Sequence, residues 1–316
     1  MDEANKIPLL AVVGPTASGK TRLAVELALQ THGEVVSADS MQIYRGMDIG
    51  TAKPTPEEQR GVPHHLIDFA DPAELFSVAR YVELARACIQ EIHGRGKLPV
   101  LAGGTGLYVN AVLDHLQFAG EERDPTLREA LKARAEREGG AVLLEELRSF
   151  DPETAARLHP ADLGRIIRAI ELYRATGVTM TEQIARSRRE EPPYRVCMLG
   201  LTYRDRDLLY RKINARVDDM LRRGLLAEAE AVFRSPGGKT AVQAIGYKEL
   251  FSCFRGEQPL EAAVEDLKQS TRRYAKRQLS WFRRDSRIHW IYVDECGDFS
   301  EIVKNSFQYM ELDGIL

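Results

Sequence analysis

The stretch Leu9-Leu10-Ala11-Val12-Val13-Gly14-Pro15-Thr16-Ala17-Ser18-Gly19-Lys20-Thr21 joins an apolar run to the pattern G-x-x-x-x-G-K-[ST], which spans Gly14 to Thr21. The apolar run suits a buried parallel strand. Arg22 to Thr31, with Leu23, Ala24, Leu27 and Ala28 at helical spacing, suits the helix that should follow. Between a strand and a helix, this pattern is a phosphate cradle. Gly14 and Gly19 let backbone amides converge on phosphate oxygens, and the helix N-terminus adds the positive end of its dipole. Lys20 supplies a mobile charge and the Thr21 hydroxyl is placed to ligate magnesium, with Pro15, Thr16, Ala17 and Ser18 completing the loop. The pattern leaves open which phosphate compound is held and what becomes of it.

Working outward, the 316 residues suggest two domains, at a prior of about 150 residues per domain. The formal charge of -3, from 44 Lys and Arg against 47 Asp and Glu, says little as a total, so the distribution of charge along the chain carries the information. Cys88, Cys197, Cys253 and Cys296 are widely separated, without C-x-x-C spacing, and read as free thiols in a reducing compartment. No apolar run approaches the roughly 20 residues of a membrane span, and Asp2 and Glu3 do not fit a signal peptide. The expectation is a cytoplasmic monomer with no membrane partner.

After the cradle and its helix, Glu34 to Asp39 reads as a second strand running into a loop from Ser40 to Pro54. Loops at the carboxyl ends of strands line the crevice of an open α/β sheet, so Asp39 is aimed at the same place as Lys20. His64 to Asp68 is a third strand candidate, and an amphipathic helix from Ser77 to His93 follows. The strand Lys97 to Ala102 runs into Gly103-Gly104-Thr105-Gly106 and another helix. From Gly120 to Pro193 only helical periodicity is visible, at Arg128 to Glu138, Val142 to Phe150 and Leu163 to Ala175. The sheet pattern resumes at Tyr194 to Leu201, followed by helices at Asp205 to Arg223, Leu225 to Phe233 and Leu260 to Asp285. A last strand covers Ile288 to Val293, and the tail beyond Asp294 is expected to be locally ordered at most. The fold class is α/β: a P-loop NTPase-like parallel sheet core flanked by helices, residues 1–119 and 194–316, with an inserted all-helical domain at 120–193.

Several constellations bear on chemistry. The late helix carries Lys268, Arg272, Arg273, Lys276, Arg277, Arg283, Arg284 and Arg287 with Tyr274, Trp281 and Phe282 interleaved, a basic stripe suited to nucleic acid. A second basic set, Arg165, Arg168, Arg174, Arg186, Arg188 and Arg189, lies in the insertion and is partly offset by acids. Asp39 either orients magnesium or takes a proton. Thr105 occupies a turn where a kinase or GTPase would often present an Asp, and Arg216 is able to clamp a phosphate edge. His64 and His65 lack acidic or cysteine neighbours at ligand spacing and read as structural.

As a set, these residues resemble the tRNA dimethylallyltransferase family. The similar motifs, in the family's order, are residues 14–21, Asp39-Ser40-Met41-Gln42-Ile43-Tyr44, Gly46 to Pro54, Gly103 to Tyr108, Ala244 to Glu249 and Arg273 to Arg283, so the resemblance covers residues 8–293. It implies that the cradle holds the diphosphate of dimethylallyl diphosphate, with Mg2+, through Thr16, Ser18, Lys20, Thr21, Thr105 and Arg216. It also implies that Asp39 accepts a proton from, or orients, N6 of the adenosine 3′-adjacent to the anticodon. RNA contacts from the anticodon stem-loop are implied at Asp39, Ser40, Met41, Gln42, Gly164, Arg165, Ile166, Ile167, Arg168, Gln243, Arg273, Lys276 and Arg277. The family usually has Gln where this chain has Gly164, and the zinc-finger extension of eukaryotic relatives is missing, so no zinc is expected. The rival readings are a P-loop nucleotide or small-molecule kinase using ATP, an enzyme that prenylates free AMP or ADP, and an RNA-binding clamp without catalysis.

Overall fold

The computed structural model describes residues 6–116, 118, 124–187, 191–235 and 241–316. Arg188 and Arg189, and the expected boundary at Gly120, lie outside them. The chain divides into two compact units, Met1–Leu113 with Pro193–Leu316, and Asp114–Pro192.

In the first unit strands and helices alternate: β1 (Ile7–Val13), α1 (Lys20–Gln30), β2 (Glu34–Ser37), α2 (Pro56–Gln59), β3 (His64–His65), α3 (Val78–Gly94), β4 (Pro99–Gly103) and α4 (Gly106–Leu113). The second unit contributes helices only among its described residues: α5 (Pro125–Glu138), α6 (Gly140–Phe150), α7 (Pro152–Ala156), α8 (Leu163–Thr176) and α9 (Met180–Ser187). The first unit resumes with β5 (Tyr194–Thr202), α10 (Arg206–Arg222), α11 (Leu225–Arg234), α12 (Phe251–Phe254), α13 (Leu260–Phe282), β6 (Ile288–Tyr292) and α14 (Phe299–Leu312).

The strands form one sheet in the order β3-β2-β4-β1-β5-β6, with every pairing parallel, as the α/β reading expects. A central parallel strand is covered on both faces and paired on both edges, which is why β1 is a continuous apolar run with Leu9 to Val13 fully buried. Its register sets Val13 beside Gly103 of β4 and Gly200 of β5. β1 continues towards β2 while β4 continues towards β5, so right-handed crossovers send the chain to opposite faces and open a crevice at the carboxyl ends of these two strands. One face is closed by α1 and α14, whose Leu23, Leu27, Ile302 and Met310 share a cluster with Leu10 and Val12. Helices α3 and α4 pack on each other and on β4, with Tyr81 stacked on Tyr108.

The helical unit has its own core, in which Leu131, Leu143, Leu147, Ile166, Ile167 and Ile170 cluster. Arg128 of α5 forks onto the Glu171 carboxylate of α8, with both contacts at 2.7 Å. No helix among the described residues is long and apolar enough to cross a membrane.

Two expectations are corrected. The third strand is shorter than His64 to Asp68, because Leu66 and Asp68 take positive φ of 59 and 56° and leave the ladder. The tail beyond Asp294 is part of the core: Asp298 caps α14 through the Glu301 amide, and Ile302, Val303, Ser306 and Met310 are buried. Met310 is fully buried, so Met310→Ala should lower stability by about 2–5 kcal/mol. Urea unfolding checks this; a change near zero would mean that α14 is a loose tail.

Candidate active site

The phosphate loop is shaped by what surrounds β1. Gly14 takes φ 138°, and a Cβ there would lie 2.2 Å from the Leu201 carbonyl oxygen of β5, so only glycine fits. Pro15 is buried behind the loop, Ala17 adopts φ 63°, and Gly19, at φ 94°, is the N-cap of α1. A glycine cap brings no side-chain acceptor, so the first-turn amides of α1 keep their capacity for an anion. The Ser18 hydroxyl is buried and finds no hydrogen-bond partner among the described residues. Lys20 Nζ donates to the Pro15 carbonyl at 2.7 Å, and Arg216 of α10 donates to Thr16 Oγ1 at 3.4 Å.

Across the crevice, β2 ends in an Asx turn. Asp39 Oδ1 accepts from the amides of Met41 at 2.9 Å and Gln42 at 3.4 Å. The Thr105 hydroxyl accepts from the Ser40 amide at 3.0 Å and donates to Ser40 Oγ at 3.3 Å, while the Thr105 amide donates to the Ala38 carbonyl at 3.1 Å.

These parts converge on one cavity of about 350 Å³. Thr16, Lys20, Thr21, Asp39, Ser40, Met41, Gln42, Arg216, Gln243 and Arg277 all contribute to its wall, and Ile213, Val217, Met220 and Leu267 make an apolar part of it. A second cavity of about 260 Å³ shares Lys20, Thr21, Arg216 and Met220 with the first, and adds Arg22, Lys53 and Arg223.

Burial shifts the charges in the first cavity. It pushes the Lys20 amine down to about 7, with the Arg216 charge acting in the same direction and Asp39 opposing. It raises the Asp39 carboxyl, against the amides of Met41 and Gln42 and the charges of Lys20 and Arg216. Burial also lowers Arg216. The result is a phosphate loop with two reluctant cations, facing a carboxyl group disposed to take up a proton.

Other expected site residues are placed differently. Thr105 stands behind the cavity wall, where its hydroxyl engages Ser40 and so positions the loop that carries Asp39. The Gln42 side chain is turned into its own loop, donating to the carbonyls of Thr51 at 3.2 Å and Ala52 at 3.1 Å. In α8, Gly164 and Arg165 are exposed and Arg168 is half-buried, but Ile166 and Ile167 belong to the core of the helical unit, 0% and 3% exposed. Their side chains form the apolar stripe that lets α8 pack. On α13, Arg273, Lys276 and Arg277 are exposed, whereas Lys268 pairs with Asp218 at 2.5 Å and Arg272 with Asn214 at 2.7 Å. The basic stripe is thus narrower than its sequence suggests, because α10 takes up part of it.

Residues that sequence reasoning did not single out hold the loop after β2. Glu228 of α11 accepts from the amides of Asp48, Ile49 and Gly50 at 2.9–3.0 Å and from the Tyr247 hydroxyl at 2.7 Å. Lys53, 9% exposed, donates to the Tyr44 carbonyl and to Asp48 and Asp68. The Gly46 to Pro54 motif was the available signal, but its partner in α11 carries no motif.

Comparison with known proteins gives a consistent set of relatives. A family model described as IPP transferase matches residues 42–285, and one described as isopentenyl transferase matches residues 7–71. The chain is 48% identical over 307 residues to a tRNA dimethylallyltransferase of Caldanaerobacter subterraneus, spanning 96% of this chain and 98% of the relative. It is 49% identical to a tRNA dimethylallyltransferase of Bacillus subtilis, spanning 96% and 97%. Among solved structures, it is similar to a tRNA isopentenylpyrophosphate transferase of Bacillus halodurans, with TM-score 0.73 and 45% identity over 98% of this chain and 97% of that one. A eukaryotic dimethylallyltransferase acting on tRNA is similar with TM-score 0.80 at 29% identity, covering 96% and 77%.

The lowered Lys20 amine has a measurable consequence. An anion in the loop favours the charged amine, so above pH 7 binding takes up a proton and affinity falls as pH rises, by up to about tenfold per unit. Calorimetry with inorganic diphosphate in buffers of different ionisation enthalpy should show this uptake in the native chain and lose it in Lys20→Met; equal uptake in both would overturn the assignment.

Proposed function

This chain belongs to the IPP transferase family, and from that premise we propose that it moves a dimethylallyl group from dimethylallyl diphosphate to N6 of the adenosine 3′-adjacent to the anticodon of tRNA, releasing diphosphate. The observation that carries the reading is the cavity of about 350 Å³ in which Lys20 and Arg216 meet at the phosphate loop, with Asp39 opposite and an apolar wall alongside. Such a site suits a ligand that is anionic at one end and a short hydrocarbon at the other. On this reading it works as a cytoplasmic monomer.

In the proposed reaction N6 attacks the allylic carbon, the carbon–oxygen bond to diphosphate breaks, and one N6 proton leaves. Lys20, Arg216, Thr16 and the α1 amides hold the diphosphate and take up the charge that develops on it. Asp39 accepts the N6 proton, a task suited to a carboxyl group whose burial raises its proton affinity. The amides of Met41 and Gln42 fix that carboxylate, and Thr105 holds the loop that carries it.

For magnesium the chain offers the Thr21 hydroxyl at the cavity wall, and no trio of His, Cys, Asp or Glu side chains among the described residues forms a metal cage. A hard cation prefers oxygen ligands, so the Thr21 hydroxyl would hold magnesium beside the diphosphate. When bound, it neutralises part of the leaving group's charge. A kinase reading has less support, because β4 runs into Gly103, Gly104 and Thr105 rather than a carboxylate.

RNA is proposed to lie against Arg273, Lys276 and Arg277 of α13, with Arg277 reaching the cavity wall. Labelled dimethylallyl diphosphate incubated with unmodified tRNA, with AMP or with no acceptor should place label on tRNA alone; label on AMP, or phosphoryl transfer from ATP, would refute the reading. Asp39→Ala should lower turnover by about 10²–10⁴-fold with tRNA affinity little changed. Arg277→Ala should weaken tRNA binding and reduce the slope of log affinity against log salt by about 1.

A further inference from the structure

Gln278, on α13, is 5% exposed and ties together two backbone segments far from it in sequence. Its Oε1 accepts from the Thr16 amide of the phosphate loop at 2.8 Å. Its Nε2 donates to the Gly104 carbonyl, in the turn after β4, at 2.9 Å. Gly104 has to be glycine for this amide to fit, since a Cβ there would lie 2.1 Å from Nε2. The same stretch of α13 carries Tyr274 and Arg277, which both line the cavity.

One carboxamide thus fixes the phosphate loop, the turn that supports Ser40 and the basic helix relative to one another. The polarity matters. The oxygen meets a donor and the nitrogen meets an acceptor, so neither an apolar side chain nor a flipped amide reproduces the pair. Thr16 also accepts from Arg216 through its hydroxyl. The orientation of a single residue in the cradle therefore depends on α13 through its amide and on α10 through its side chain.

We propose that Gln278 is a positioning residue that transmits the placement of α13 to the phosphate cradle, so that RNA on the basic face of α13 and diphosphate in the cradle strengthen each other's binding. The proposal rests on the reading of the chain as an RNA prenyltransferase. Coupling of this kind is reciprocal: if RNA holds α13 where Thr16 is set for diphosphate, diphosphate must favour RNA by the same factor.

Two variants of the full chain test it. Gln278→Met keeps the length of the side chain and loses both hydrogen bonds. Gln278→Glu, when protonated, restores both, with its carbonyl oxygen accepting from Thr16 and its hydroxyl donating to Gly104. Once ionised, it loses the donor and sets a charge against the Gly104 carbonyl. The affinity for inorganic diphosphate with magnesium is measured by calorimetry, with and without an anticodon stem-loop RNA, from acid to neutral pH. RNA should raise diphosphate affinity by about 5-fold or more in the native chain and by less than about 2-fold in Gln278→Met. In Gln278→Glu the factor should be native-like at acid pH and fall towards that of Gln278→Met at neutral pH, a change the native chain does not show. A native factor retained in Gln278→Met, a factor in Gln278→Glu that does not move with pH, or no coupling in the native chain would each overturn the proposal. If Gln278→Met does not fold, the pH series on Gln278→Glu decides alone. Transfer of label to tRNA by the native chain is scored in parallel: its absence refutes the prenyltransferase reading itself, whereas normal transfer with unchanged coupling refutes only the role of Gln278.

Discussion

The central constraint is the confinement of β1 between β4 and β5. With both edges paired and Leu9 to Val13 fully buried, the chain leaving Val13 has one way out, over the carboxyl end of the sheet. Gly14 passes so close to the Leu201 carbonyl that no side chain fits. The loop is therefore set by its neighbours before any ligand arrives, and the polar groups of the site are hung around that fixed exit. Asp39 reaches it from β2, Thr105 from β4 and Arg216 from α10.

Helix α13 serves two surfaces at once. Its inner side contributes Ala275, Gln278, Leu279 and Phe282 to the interior, while Arg273, Lys276 and Arg277 face outward. A helix that is both core and contact surface cannot shift to suit one without disturbing the other. This makes it a natural carrier of information between the outside of the molecule and the sheet's crevice.

The parts legible in the sequence were those whose cause is local. The strand, glycine loop and helix around Gly14 to Thr21 could be read because each step follows from neighbouring residues, and the parallel sheet followed from alternating apolar strands and amphipathic helices. Asp39 was legible from its place at a strand end. What escaped was decided by distant partners. Gln278 finds Thr16 and Gly104 across most of the chain, and Glu228 meets residues 48–50. Lys268 and Arg272 look like free cations in sequence, until Asp218 and Asn214 of α10 face them. Ile166 and Ile167 sat inside a motif, and their side chains form a packing stripe. The last helix was missed because its apolar spacing is read only against the face formed by α1.

The Glu228 clasp distinguishes two kinds of order in the crevice. Its carboxylate is held by three backbone amides and a phenol, all neutral donors in direct contact. Mobile ions screen charges acting over a distance, but they have less hold on short hydrogen bonds in direct contact. The loop from Asp48 to Gly50 thus keeps its shape across ionic strengths at which a basic helix face would release a polyanion. Recognition and scaffold respond to different properties of the solvent, and each can be loosened without the other.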